Sequence, residues 1–276
     1  MIRLLQIEWY KIRNHRFFWI GIGLFLILLV STLSFFGKLS LFGTGQPPAE
    51  EDMDMMAMMI PANLEEAGFY AIPYIWQNIS YLAGFFKFIP AFLLLFFISS
   101  EFEFRTYRQN VIDGLSVNQF FISKFSTVVF FSLLALAALT LTGIALGYYH
   151  NEDTSALFEQ GSFLFAYWAE VFFLLCLAFF FGILVRRSAI AIIILIIYYL
   201  MEPVLGYYLG EPIKEYLPTR PSRDMIEEPF TRLFNIQSFL NIETVDSVDW
   251  KKFSLSLVYS ALLALGGLLI LRKRDI

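Results

Sequence analysis

The sequence predicts an all-α membrane protein with six transmembrane helices. Its composition is 58% hydrophobic and 18% aromatic with only 16% charged residues, and its mean hydropathy is +0.64. A soluble domain cannot bury so much apolar surface in one core. Stretches long enough to cross about 30 Å of hydrocarbon, about 20 residues each, occur six times. The net charge of -4 and the pI near 5.3 argue against a nucleic-acid partner.

The predicted spans lie near residues 17–36, 80–98, 122–149, 162–184, 188–209 and 253–271. Lysine and arginine are enriched in cytoplasmic loops, and this bias sets the orientation. With the N-terminus inside, 12 lysines and arginines fall on inner segments and seven on outer ones. The run 272–274 and the pair 186–187 both fall inside. We therefore expect a multi-pass membrane protein with both termini cytoplasmic.

Residues 1–16 form the first element before the spans. Ile2, Leu5, Trp9 and Ile12 recur at helical spacing, with polar residues off that stripe. This pattern predicts an interfacial amphipathic helix that lies along the membrane surface and leads into the first span. The simpler alternative is a basic flank that only sets the topology.

Two long loops, 37–79 and 210–252, are predicted on the outer side. The first holds five methionines within 53–59. Thioethers bind Cu(I), so a copper site is one interpretation. A short amphipathic helix with methionine as adaptable packing is the other. The second loop is rich in proline and charge, which predicts a small extracytoplasmic cap.

The segment 227–232 (EEPFTR) matches the EExxxR pattern of intramembrane CAAX-type proteases. In those enzymes histidines on later helices act with the glutamates, whereas His15 and His150 both precede this segment. We therefore reject the match. The single cysteine, Cys176, lies within an apolar run and supports no metal site. Without familiar catalytic motifs, we expect no catalytic residues, bound metal or cofactor in this chain.

Three ionisable residues, Lys87, Glu170 and Glu202, fall within predicted spans. Such residues are costly in a bilayer and often mark function. Each lies about two helical turns from the outer end of its span, so the three share a similar depth. They form either an ion-paired cluster that lines a substrate path or a buried structural contact that sets helix register.

A polar segment, residues 99–121, separates the very apolar second and third spans. Phe104 and Tyr107 recur on one face of a predicted short helix. Asp-Gly at 113–114 ends that helix, and 116–119 (SVNQ) reads as a capping box for the next. A passive connection needs only a few polar residues, so this composition favours docking onto another protein.

The stretches "LLQIEWYKIRNHRFFWI" and "ISSEFEFRTYRQNVIDGLSVNQFFISK" resemble the permease subunits of ABC-2 type ABC transporters. The resemblance extends over essentially the whole chain in its six-span layout, cytoplasmic termini and N-terminal elbow helix. It implies that the helix after span two is a cytoplasmic coupling helix that engages a separate ATPase. The implied ATPase-coupling residues are Glu101, Glu103, Arg105, Tyr107, Arg108 and Asp113.

The resemblance further implies a single transmembrane permease domain over 1–276, a half-permease that works as an exporter. The chain has no GxxxxGK[ST] phosphate loop, so ATP-Mg would bind two copies of a partner ATPase subunit. A second permease chain, identical or related, would complete the dimer, and the resemblance implies a location in the bacterial cytoplasmic (inner) membrane. Two alternatives remain: a secondary transporter that uses the intramembrane charges, and a membrane-anchored assembly protein that uses the 210–252 cap.

Overall fold

The computed structural model describes residues 2–39, 64–65, 67–104, 106–112, 114–234 and 247–273, and every element within these ranges is helical. The helices are α1 (Ile2–Arg13), α2 (Arg16–Phe36), α3 (Ile75–Ala83), α4 (Phe88–Glu103), α5 (Thr106–Ile112), α6 (Val117–His150), α7 (Ser162–Val185), α8 (Ser188–Leu209), α9 (Thr219–Arg223), α10 (Phe230–Leu233) and α11 (Trp250–Lys273). The same ranges contain two short 3-10 helices, Gly84–Lys87 and Ile213–Tyr216.

Within the described ranges, six helical segments are long and apolar enough to cross a membrane, as predicted. The second of them is α3, the Gly84–Lys87 turn and α4 taken together, so it runs over 75–103 rather than 80–98. The third begins at Val117 rather than 122, because the Ser116 side chain caps it and Gln119 completes the predicted capping box. Hydropathy marks only the hydrocarbon part of a helix, whereas its hydrogen bonding continues into the headgroup region.

Helix α7 lies at the centre of the bundle. It packs against the second span and against α6, α8 and α11, and its side chains Phe173, Leu177 and Phe179 are fully or almost fully buried. By contrast, α2, α8 and α11 present wide apolar faces to the outside, with exposed residues such as Ile27, Ile197 and Leu265. These faces suit contact with lipid or with another apolar helix.

The bundle has two distinct ends. At the basic end, Arg272 donates to Asn118 Oδ1 at 2.8 Å and Ser188 Oγ donates to Glu103 at 3.2 Å. At the loop end, Asn151 Nδ2 donates to the Tyr70 carbonyl at 2.9 Å. The basic end also carries the arginine pair at 186–187 and the last basic residues of α11, so it is the end that charge bias predicts to be cytoplasmic.

Helix α1 joins α2 through a sharp corner. The His15 Nδ1 accepts a hydrogen bond from the Phe17 backbone N–H at 3.3 Å and thereby caps α2. The Trp19 indole N–H donates to the Arg13 carbonyl at 2.7 Å, which satisfies the end of α1. Beyond the corner, α1 packs on α6 with Ile12 buried. Its placement at a membrane surface stays a prediction.

Helix α11 begins at an N-terminal cap. The Asp249 carboxylate accepts hydrogen bonds from the backbone N–H groups of Lys251 and Lys252, at 3.0 and 3.1 Å. Partial burial pushes the pKa of Asp249 upward, but these N–H groups and the Lys252 ammonium together hold it below its ordinary value. The cap satisfies orphan donors and places a negative charge at the positive end of the helix.

Candidate functional site

A buried ionic cluster ties three helices together at the basic end. The Lys124 Nζ on α6 donates to Glu8 Oε2 on α1 and to Glu101 Oε1 at the end of α4, both at 2.6 Å. Lys11 Nζ adds a bond to Glu101 Oε1 at 3.2 Å. Lys124, Glu101 and Glu8 are 5%, 8% and 9% exposed. The four residues Glu8, Lys11, Glu101 and Lys124, the basic-end cluster, thus fasten the first helix to the second and third spans.

The resemblance implies that Glu101 contacts an ATPase, yet its Oε1 already accepts bonds from two lysines of this chain. Sequence reasoning missed Lys124 as a partner of Glu101, and it missed Glu8, the second carboxylate that Lys124 contacts. A signal existed for Lys124, because it is a lone cation in the apolar start of α6. Glu8 could have been found from its helical spacing to Ile12, four residues on and also buried.

Next to this cluster, three aromatic side chains join α4, α5 and α6. The Tyr107 ring centroid lies 5.2 Å from that of Phe102 and 4.6 Å from that of Phe120. The Arg186 guanidinium lies 5.7 Å from the Phe102 ring centroid. Arg186 ends α7 with a left-handed backbone, at φ 60°. Burial raises the pKa of the Tyr107 hydroxyl. Helix α5 is therefore packed against the second and third spans through Tyr107.

Two large apolar side chains are exposed in this region, Phe104 in the turn before α5 and Ile112 at the last residue of α5. Phe104 is 74% exposed and Ile112 is 80% exposed, whereas Tyr107 is 6% exposed. The sequence pattern places Phe104 and Tyr107 on one helical face, but α4 ends at residue 103 and the turn at 104 separates them. The outer surface of α5 thus combines exposed apolar groups with polar neighbours.

The remaining predicted coupling residues have varied positions. Glu103 is exposed, and its Oε2 accepts a hydrogen bond from Ser188 Oγ at the start of α8. Arg105 and Asp113 lie outside the described residues, and the same holds for the side chain of Arg108.

The second span contains a 3-10 turn, Gly84–Lys87, that ends at a buried lysine. Its Nζ donates to Glu170 Oε1 on α7, and the two side chains are 5% and 10% exposed. The Tyr199 ring centroid lies 5.1 Å from the same ammonium. A Cβ on Gly84 would approach the Glu170 carboxylate oxygens to 3.2 and 3.3 Å. Glycine therefore makes room for the carboxylate at the 3-10 turn that aims Lys87 at α7.

Glu202, the third predicted member, has different partners. Its Oε1 accepts hydrogen bonds from the Thr219 backbone N–H and hydroxyl, at 2.5 and 2.7 Å. Glu202 is 4% exposed and precedes Pro203 inside α8. The structure thus brings Lys87 and Glu170 together, and it uses Glu202 to fasten α8 to the cap helix α9.

A cavity of about 610 Å³ adjoins the Lys87–Glu170 pair. This volume lies within the usual range of small-molecule sites, about 300–1,000 Å³. Its lining combines the ion pair with the rings of Tyr81, Phe88 and Tyr199 and with charged residues of the 210–252 loop. Polar groups that converge beside apolar walls are typical of a ligand site, and seven charged side chains line this cavity.

The EEPFTR segment has a structural role in this chain. The Glu228 carboxylate accepts from the backbone N–H groups of residues 230 and 231 and caps α10. Arg232 donates to Gln77 and Asn78 at 2.8 Å each and so ties the cap to α3. Within the described part of the chain, no group of three His, Cys, Asp or Glu residues could hold a metal. The methionines at 53–59 lie outside that part.

The architecture and these sites define a multi-pass helical membrane protein. Comparison with protein-family models, with curated proteins and with solved structures found no match. Function is therefore inferred from the geometry of the chain itself and from the resemblance described above.

Proposed function

We propose that this chain is the permease subunit of an ATP-driven ABC-2 type exporter, and that a separate ATPase subunit docks on α5. The supporting observation is that α5 lies between the second and third spans at the basic end, with Phe104 exposed just before it and Ile112 exposed at its last residue. Exposed apolar anchors surrounded by polar residues are typical of a protein interface.

The contacts around α5 supply a route for force. A push on α5 would act through Tyr107 on Phe102 and Phe120, which belong to the second and third spans. It would act on α7 through Arg186, which contacts the Phe102 ring. Because packed interiors transmit displacement and do not absorb it, these spans would move with the docked subunit. The same two elements, the second span and α7, carry Lys87 and Glu170, so their relative motion would change the cavity.

The proposal includes an assembly and a location. Six spans supply half of the usual twelve, so a second permease chain and two ATPase subunits that bind ATP-Mg complete the transporter. The apolar faces of α2, α8 and α11 offer surface to the second chain and to lipid. The basic end faces the bacterial cytoplasm, which places both termini inside.

Docking is tested with Ile112→Glu, which puts a charge on the exposed anchor. The tagged chain is purified from its native membranes in mild detergent, and any ATPase with a phosphate loop is quantified by mass spectrometry. We expect the variant to retain at least roughly tenfold less ATPase, as for an interface hot spot. Tyr149→Glu is the matched control, because Tyr149 is also 80% exposed but lies at the loop end. Absence of such an ATPase from the unmodified sample, or equal retention by both variants, contradicts the proposal.

A second candidate is a secondary transporter, favoured by the buried Lys87–Glu170 pair beside a cavity. Ionisable groups in such positions serve as ion-coupling sites in transporters. Reconstitution of the chain alone into liposomes decides between the two. Uptake driven by a proton or sodium gradient without any ATPase, and abolished in Lys87→Met, supports this candidate over the first.

A further inference from the structure

The cavity beside Lys87 has an apolar side that reaches the outside of the bundle. Phe85 and Leu200 both line it, and they are 64% and 59% exposed. Phe85 belongs to the second span and Leu200 to α8, both among the segments that can cross a membrane. These two side chains therefore connect the cavity lining with the apolar outer surface of the bundle.

The charged part of the cavity lining includes cations as well as carboxylates. The Arg223 guanidinium lies 5.4 Å from the Tyr199 ring centroid, and Lys252 lines the same cavity. The Lys252 ammonium donates to the Asp224 carbonyl at 3.0 Å and lies 3.5 Å from Asp249. A guanidinium that rests on an aromatic ring keeps its N–H fork available for an anion.

Most carboxylates that line the cavity are already engaged. Glu170 accepts from Lys87, and Asp224 Oδ2 lies 2.8 Å from Arg220 Nε. The Glu228 carboxylate caps α10. Glu227 also lines the cavity and is exposed, with its backbone carbonyl 3.4 Å from Gln77 Nε2. The engaged acids leave Arg223 as the group best placed to receive an anion.

We propose that this cavity binds an anionic amphiphile, with its phosphate or carboxylate at Arg223 and its alkyl chain along Phe85 and Leu200. Burial of each methylene adds affinity, and the charged head fixes orientation. The volume accommodates a head group and the first part of a chain. The binding proposal does not depend on the proposed function, because binding requires no ATPase. The further idea that this ligand is the exported substrate does rest on the proposed function.

The test uses the full chain purified in detergent and radiolabelled oleoyl lysophosphatidate as the probe, in a scintillation proximity assay. We expect saturable binding that mono-oleoylglycerol, which has the same chain and no phosphate, displaces at least about tenfold less effectively. Arg223→Gln should weaken binding at least about tenfold through loss of charge-assisted hydrogen bonds. Lys251→Gln is the charge-matched control, because Lys251 is an exposed neighbour outside the cavity lining, and it should stay within about twofold.

The chain-binding side is tested by a second matched pair. Leu200→Ser should weaken binding, whereas Leu205→Ser should not, because Leu205 is 55% exposed on the same helix but outside the cavity lining. This pair decides the matter if Arg223→Gln elutes as an aggregate. The proposal is overturned if Arg223→Gln and Lys251→Gln change probe affinity equally, or if Leu200→Ser and Leu205→Ser do.

Inorganic phosphate distinguishes a free anion from an amphiphile. If phosphate displaces the probe as well as unlabelled lysophosphatidate does, the site takes the anion alone and the proposal fails. Binding measured on the isolated chain is independent of ATPase recovery. A negative binding result therefore contradicts only the ligand proposal, and a failure to recover an ATPase contradicts only the proposed function.

Discussion

Replacement of Lys87 by methionine should reveal how much the membrane-embedded ion pair contributes. The substitution removes the ammonium group that donates a hydrogen bond to the Glu170 carboxylate. The Glu170 side chain is only 10% exposed, so its charge is left largely buried. Removal of one member of a buried pair costs about 3–5 kcal/mol, because the remaining charge is uncompensated. The adjoining cavity lets water approach this carboxylate, so we expect the lower end, about 3 kcal/mol.

A double-mutant cycle separates the pair from other effects. Glu170→Leu alone leaves a buried ammonium and should cost a similar amount, about 3 kcal/mol. The double variant Lys87→Met/Glu170→Leu removes both charges and should return to within about 1–2 kcal/mol of the unmodified chain. The free energy of unfolding is measured by reversible denaturant titration in detergent micelles, followed by tryptophan fluorescence.

The control for this cycle is Lys251→Met, which removes an exposed lysine at the loop end and should change stability by less than about 0.5 kcal/mol. If the costs of the two single changes simply add in the double variant, the groups are not coupled. A cost for Lys87→Met as small as that of the control would show that the carboxylate is fully hydrated. Either result refutes the assignment of a desolvated ion pair.

Three further predictions follow from particular contacts. Gly84→Ala should destabilise the chain by about 1–3 kcal/mol in the same titration, because the new Cβ would crowd the Glu170 carboxylate. The control Gly23→Ala should not destabilise it, because the space around that Cβ is open. Lys124→Met should release α1, seen as faster amide exchange over residues 6–13, and unchanged exchange there would show that the basic-end cluster is dispensable. Asp249→Ala should cost about 1 kcal/mol at pH 7 through loss of the α11 cap. Because the folded-state pKa of Asp249 lies below its ordinary 3.8, this cost should disappear as the pH falls through the folded-state value, and a pH-independent cost would contradict the capping role.

Local patterns predicted much of the fold. Each span had to appear as a continuous apolar stretch, because a bilayer offers no hydrogen bonds to the backbone and fixes the length of a crossing helix. The start of α6 was predictable for a similar reason, since Ser116 and Gln119 satisfy neighbouring backbone groups of their own helix. The start of the second span was not predictable, because its polar residues Gln77 and Asn78 are bound by Arg232, which is distant in sequence.

The candidate sites were only partly predictable, because depth in a membrane does not specify position around a bundle. The sequence predicts a similar depth for Lys87, Glu170 and Glu202. The packing of the second span on α7 pairs the first two, whereas Glu202 on α8 contacts Thr219. Helical spacing also failed to predict burial before α5. Because the chain turns at residue 104, Tyr107 is buried whereas Phe104 is exposed.

The sequence by itself determined that this is a six-span helical membrane protein, which end of the bundle is basic, and that a polar helix joins spans two and three. These properties depend on residues close together in the chain. Only the tertiary structure decided that Glu101 is held by Lys124 and Lys11, that Lys87 meets Glu170 beside a cavity, and that Arg223 lines this cavity. Ion pairs and cavities depend on which helix faces join across large sequence separations, and helical periodicity alone does not specify that choice.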